Sequence, residues 1–265
     1  MTSERGSMQG LDFSGRQILV TGASSGIGYA VAAGFARAKG EVAILSLDSG
    51  VHAAAERLGA IAGRPVRAFQ CDIADRAQVE RAIGSLSRID VLVNNAGLEA
   101  VTPIDEPGRA VEDAFRRVFD VNVMGSYFVT REALPRMADG SRIVFTASTW
   151  AKYSIPRMSA YCASKHAVLG LVRSLAHELG GRRITVNAIC PGWVRTDQSF
   201  RSVKVITEVS GRSIEQLTDD LLRVQAMPGL LEPDNVVGSY LFLASDLAKD
   251  ITGQSLHVDR GEFMS

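Results

Sequence analysis

The sequence has no surplus of either charge: 29 Lys and Arg stand against 29 Asp and Glu in 265 residues. Nucleic acid and anionic membranes recruit a clear basic excess, so neither is expected as a partner. Cysteine is scarce. Cys71, Cys162 and Cys190 lie far apart and are odd in number, with no Cys-x-x-Cys pair. Neither a metal site nor a disulfide framework is signalled, and a reducing, cytoplasmic setting fits. Nowhere do about 18 apolar residues run together, so no spanning helix is expected. The opening MTSERGSMQGLDFSG holds charge and glycine but no apolar signal core. Residues 1–14 read as a flexible extension.

What is present is an ordinary globular balance, 46% hydrophobic and 22% charged, enough to bury a substantial core. Short β-rich runs alternate with helical patterns: QILVTG (17–22), EVAILS (41–46), VRAFQCD (66–72), DVLVNNAG (90–97), SRIVFTAS (141–148) and ITVNAICPG (184–192). Helical stretches fall between them, including long ones near 107–137 and 158–180. Continuous apolar strands separated by amphipathic helices predict a doubly wound parallel α/β sheet with helices on both faces. Without a Pro/Gly-rich linker, residues 15–265 read as one Rossmann-type domain. From about 193 to 229 the rhythm breaks into polar, irregular sequence with one short helical patch. So long a departure is expected to be a substrate loop.

Within SAYCASKHAVLG (159–170), Tyr161 and Lys165 stand four apart on one helical face. Such a pair is either a snorkelling surface pair or a proton-transfer device. The first strand runs into Thr21-Gly22-Ala23-Ser24-Ser25-Gly26-Ile27-Gly28 and then a helix. Glycines there let the backbone approach a pyrophosphate seated over the helix N-terminus. The spacing is Gly-x-x-x-Gly-x-Gly.

TGASSGIG, NNAG at 94–97, Ser148 thirteen residues before Tyr161, YCASK at 161–165 and PG at 191–192 occur together, in this order. This set resembles the short-chain dehydrogenase/reductase family over about residues 14–261. The resemblance implies a nicotinamide-dependent oxidoreductase interconverting a secondary alcohol and a ketone. Tyr161 would be the general acid/base and Lys165 the cation that lowers its pKa and holds the nicotinamide ribose. Ser148 would anchor the substrate oxygen, and Asn122, in a helix kink, would hold a relay water. A phenol titrating near ~10 is a poor base at neutral pH, so the ammonium and the nicotinamide cation are expected to bring it toward the working range.

By the same resemblance the cofactor is held by Gly22, Ser24, Ser25, Gly26, Ile27, Gly28, Ser46, Asp48, Asp72 and Ile73. Asn94, Ala96, Gly97, Ile189, Pro191, Gly192, Val194 and Thr196 complete that set with Tyr161 and Lys165. NAD is favoured over NADP. Ser46 falls on the family's acidic position and decides nothing, but Ser25 and Leu47 stand where NADP-preferring members place a cation, and Asp48 is close by.

Substrate contacts are expected from Ser148, Glu99, Trp150, Met158, Tyr161 and Trp193, with Tyr153 and Phe200 nearby. These residues are largely apolar or aromatic, with Glu99 as a hydroxyl acceptor, and suit a small, compact or cyclic molecule with one or two polar handles. The rival readings are an NADPH-dependent 3-oxoacyl-type reductase and a catalytically silent dinucleotide-binding regulator. His166 and His177 read as ordinary helix residues. The last strand closes Val258-Asp259-Arg260-Gly261, where the family usually has a Gly in place of Arg260. A homotetramer is expected from the family, through the two long helices and the last strand.

Overall fold

The strands β4 (Val91–Asn94), β5 (Arg142–Thr146) and β6 (Thr185–Pro191) are buried along their whole length. Polar alternation is missing from such sequences because helices cover both faces of the sheet. The structure is a computed structural model and describes residues 11–264. It joins these strands to β1 (Gln17–Thr21), β2 (Glu41–Ser46), β3 (Arg67–Gln70) and β7 (Ser255–Val258). The order is β3-β2-β1-β4-β5-β6-β7, and every pairing is parallel. This is the doubly wound Rossmann arrangement expected from the sequence.

The strand order reverses between β1 and β4, which opens a crevice at their carboxyl ends. One core cluster packs α1 (Gly26–Arg37), α2 (Gly50–Ala62) and α9 (Pro233–Ala244) on one face. The other packs α3 (Arg76–Gly84), α5 (Ser126–Ala133) and α6 (Ser159–Leu179) on the opposite face. The helix α9 went unread in the sequence; it packs closely on α1, where a Cβ on Gly34 would stand 2.3 Å from Val237 Cγ1.

The expected long helix near 107–137 is α4 (Arg109–Phe119) continued into α5 through a π turn at Asp120–Gly125. Asn122 sits in that turn, and π turns inside helices recur at functional sites.

Two expectations need correction. Residues 193–229 are not an irregular loop: they hold α7 (Asp197–Ser210) and α8 (Ile214–Arg223). Each starts with a capping box, Thr196 with Ser199 and Ser213 with Gln216. The capping residues supplied the polarity that read as loop. Residues 1–10 of the expected extension lie outside the described residues. Residues 11–14 belong to the fold instead, because Phe13 is fully buried, edge-on to Phe35 at 4.9 Å.

Candidate active site

The crevice at the β1/β4 switch is a cleft of about 940 Å³. Its floor is backbone brought close by glycine. Gly22 and Gly26 adopt φ of +65° and +57°, a region that favours glycine. A Cβ on Gly28 would stand 2.2 Å from the Gly22 carbonyl oxygen, and one on Gly22 would stand 2.7 Å from Ala96 Cα. Asn95 ties the two loops together: its amide donates to the Thr21 and Gly22 carbonyls at 3.1 and 3.2 Å. The N-terminus of α1 has no side-chain cap and no acidic residue in its first turn. Its free N–H groups and positive dipole end therefore suit a diphosphate. On this geometry the residues fit a dinucleotide.

At the end of β2, Asp48 turns back toward the glycine turn. It accepts from Ser24 Oγ at 2.7 Å, Ser46 Oγ at 2.9 Å and the Gly50 amide at 3.0 Å. Partial burial works to raise its pKa, but these hydrogen bonds outweigh it and hold the carboxyl below the usual range. Leu47 points to solvent, 60% exposed. Asp72 also lines the cleft and is paired with Arg117 at 2.7 Å.

Ser148 follows β5, while Tyr161 and Lys165 rise from α6. The N-terminus of α6 is fixed by Thr102, whose hydroxyl accepts from the Ala160 amide at 3.0 Å. Ser148 and Tyr161 both line the cleft, and the Lys165 ammonium lies 5.6 Å from the Tyr161 ring centre. Lys165 is 5% exposed and donates to the Thr146 carbonyl at 2.7 Å. Burial pushes the Tyr161 phenol up, Glu99 adds to this, and Ser148 opposes it. Burial likewise pushes Lys165 down, to about 8. The sequence led us to expect a phenol drawn down by its neighbour; in the protein alone, desolvation wins.

Most expected contacts do line the cleft: Gly22, Ser24, Ser25, Gly26, Ile27, Gly28, Ser46, Asp48, Asp72, Ile73, Ala96, Gly97, Pro191, Gly192, Val194 and Thr196. Glu99, Trp150, Tyr153 and Trp193 line its other end with Ser148 and Tyr161.

Others do not. Asn94 belongs to β4, and its side chain is buried against Thr130 at 2.8 Å. Its neighbour Asn95, one residue past the strand, faces the cleft instead. Met158 is fully buried where the chain bridges to Thr102, away from the cleft lining. Ile189 is buried in β6, and Phe200 packs on Trp193 at 5.9 Å rather than lining the cleft. The Asn122 side chain clasps the Leu98 backbone, accepting at 2.7 Å and donating at 2.9 Å, and donates to Ser164 at 2.9 Å. It is a positioning side chain for the 97–98 turn, which stands beside Lys165 Nζ.

Sequence reasoning missed Glu262, on the turn after β7. Its carboxylate accepts from Thr149 Oγ1 at 3.0 Å and, in a shorter bond, from the Tyr153 hydroxyl. Burial raises its pKa against the pull of these donors. No local pattern marked it, since Thr149 is 113 residues distant in sequence.

The chain is similar to known proteins along nearly its whole length. Residues 22–262 match a family model described as enoyl-(acyl carrier protein) reductase. The chain is 35% identical to the D-threitol dehydrogenase of Mycolicibacterium smegmatis, over 93% of this chain and 92% of that protein. It is similar to the crystal structure of a blue fluorescent protein from a metagenomic library in complex with NADPH. That likeness is 32% identical with TM-score 0.84, covering 96% of this chain and 100% of the other. A putative NAD(P)-dependent gluconate 5-dehydrogenase from Beutenbergia cavernae, with bound NADP at low occupancy, is 35% identical with TM-score 0.84. It covers 95% of this chain and 98% of its own.

Proposed function

The chain belongs to the short-chain dehydrogenase/reductase family and is an NAD(P)-dependent oxidoreductase interconverting alcohol and ketone; from that premise we propose that Tyr161 is its general acid/base, acting on a small, compact or cyclic secondary alcohol. The observation that carries this reading is the convergence of Ser148, Tyr161 and Lys165 in one cleft, with the Lys165 ammonium 5.6 Å from the Tyr161 ring centre. When bound, the dinucleotide supplies the hydride acceptor or donor. Gly22, Ser24, Gly26, Gly28, Asp48, Ala96, Gly192 and Thr196 would hold it.

In the reducing direction, the protonated Tyr161 phenol gives its proton to the carbonyl oxygen while the Ser148 hydroxyl stabilises the charge developing there. In the oxidising direction Tyr161 must first ionise. Two groups favour the phenolate: the donor hydroxyl of Ser148 and the Lys165 ammonium, whose field is weakly screened in a buried site. Trp150, edge-on to Tyr161 at 5.8 Å, and Trp193 supply apolar walls for a compact carbon skeleton. In the expected relay role for Asn122, the π-turn backbone would hold the water, because the side-chain amide is bound to Leu98 and Ser164.

The preferred cofactor in this proposal is NAD. The argument is Asp48: its carboxylate, fixed by Ser24 and Ser46, favours ribose hydroxyls and repels a 2′-phosphate. Arg117, the cation lining that end, is already paired with Asp72.

The proposal extends to a homotetramer, with the exposed Phe115, Met124 and Tyr127 on the α4–α5 face as covered surface. It extends also to a cytoplasmic setting, in keeping with three buried free cysteines. No helix among the described residues is long and apolar enough to cross a membrane.

Nicotinamide absorbance followed over paired alcohols and ketones, with NAD and NADP, tests the reading. Turnover of secondary alcohols with NAD supports it. No turnover of any alcohol or ketone with either dinucleotide would remove it.

A further inference from the structure

We infer that Glu262 determines substrate specificity, its carboxylate selecting alcohols that carry a second hydroxyl beside the reacting one. This rests on the alcohol–ketone reading above. Glu262 lines the same cleft as Ser148 and Tyr161. It enters through Thr149, the residue after Ser148, whose hydroxyl donates to it at 3.0 Å. The Tyr153 hydroxyl donates to the same carboxylate oxygen. Gly192 makes the room: a Cβ there would stand 2.8 Å from Glu262 Oε2.

The backbone that carries this carboxylate is held just as firmly. Asp259 accepts from the Gly261 and Phe263 amides at 3.0 Å each, and the Phe263 ring stacks on Tyr153 at 6.2 Å. Tyr153 in turn accepts from Trp150 Nε1 at 3.2 Å, and Trp150 stands edge-on to Tyr161. A rigid series of contacts thus fixes Glu262 relative to the group that moves the proton.

A carboxylate offers about four acceptor positions, and the two donors, both on Oε1, leave acceptor capacity for the cleft. A hydroxyl fills that capacity. A bare hydrocarbon leaves it unpaired in a desolvated wall, and a substrate carboxylate sets like charge against it. A site built to hydrogen-bond a substrate hydroxyl discriminates against analogues lacking it far more strongly than an apolar pocket discriminates by size.

The test compares kcat/KM for cyclohexane-1,2-diol with cyclohexanol, and butane-2,3-diol with butan-2-ol, in the wild type, Glu262→Gln and Glu262→Asp. Sodium 3-hydroxybutyrate probes rejection of acids. The wild type should prefer each diol by at least about tenfold, mainly through KM. Glu262→Gln should collapse that ratio toward one and raise the relative rate on 3-hydroxybutyrate. Glu262→Asp, which keeps the charge, should retain part of the diol preference even where Glu262→Gln folds poorly. A wild type indifferent to the second hydroxyl would overturn the inference. So would variants that lose stability but keep the ratio, for Glu262 would then only fasten the turn after β7. Absence of turnover on every alcohol would instead remove the underlying reading.

Discussion

At the dinucleotide end of the cleft the walls are mostly backbone. Gly22 and Gly28 bring chain against chain, and Asn95 stitches the loops with bonds to two carbonyls. At the substrate end the walls are side chains gathered from far apart: Trp150 and Tyr153 after β5, Trp193 after β6 and Glu262 after β7. Backbone walls recognise what every dinucleotide shares, a diphosphate and two riboses. Side-chain walls can change singly without disturbing the sheet. The difference explains how one fold keeps its cofactor while its substrates vary.

The largest expected effect would break the first region. Gly28→Ala puts a Cβ 2.2 Å from the Gly22 carbonyl oxygen, and neither backbone can yield. It should cost about 3 kcal/mol or more and abolish dinucleotide binding, read by thermal unfolding and titration. Gly211→Ala near the substrate end, with φ +68° but open space around it, should cost only about 1–2 kcal/mol. Equal losses in the two variants would erase the contrast.

The next prediction concerns the boundary between the regions. Burial holds Lys165 at about 8, against 10.5 for an ordinary lysine. The folded protein therefore binds fewer protons than the unfolded chain between those pH values, and its stability rises with pH across that window. The penalty, about 3 kcal/mol by the shift, is fully present below pH 8. Lys165→Met removes it but leaves the Thr146 carbonyl without its donor, a loss of about 1–2 kcal/mol. The variant should gain roughly 1 kcal/mol of stability at pH 7, lose that gain by pH 10.5, and bind dinucleotide poorly. Unfolding curves at the two pH values check the sign.

Asp48→Ala should shift the kcat/KM ratio toward NADP by about tenfold, about 1.4 kcal/mol, and leave alcohol selectivity alone. A change in both would show that the two ends are coupled. The smallest effect is expected at Arg260, which takes φ +58° yet donates to the Pro228 and Leu230 carbonyls at 3.0 and 3.4 Å. Arg260→Gly relieves the backbone and loses both bonds, so stability should move by less than about 1 kcal/mol. The unfolding midpoint measures it.

The same division governed how much could be read from the sequence. Strand positions and the glycine turn were legible because burial on both faces and backbone clearance leave contiguous marks, as in QILVTGASSGIG. Asn94 was misplaced by one residue. A strand alternates faces, so its side chain turns to Thr130 while Asn95, beyond the strand end, enters the cleft. The polar run 193–229 concealed two capped helices, since Thr196 and Ser213 are polar for the sake of helix termini. Glu262 gave no sign, because its partners Thr149 and Tyr153 come together with it only when β5, β6 and β7 align.

The most direct measurement is steady-state turnover of Tyr161→Phe beside the wild type, with dinucleotide affinity measured on the same samples. The ring and its contact with Trp150 remain, and only the transferable proton is gone. The rate should fall by about 10²–10⁴-fold while dinucleotide affinity stays near that of the wild type. Turnover close to the wild-type rate would contradict the assignment of Tyr161 as the acid/base.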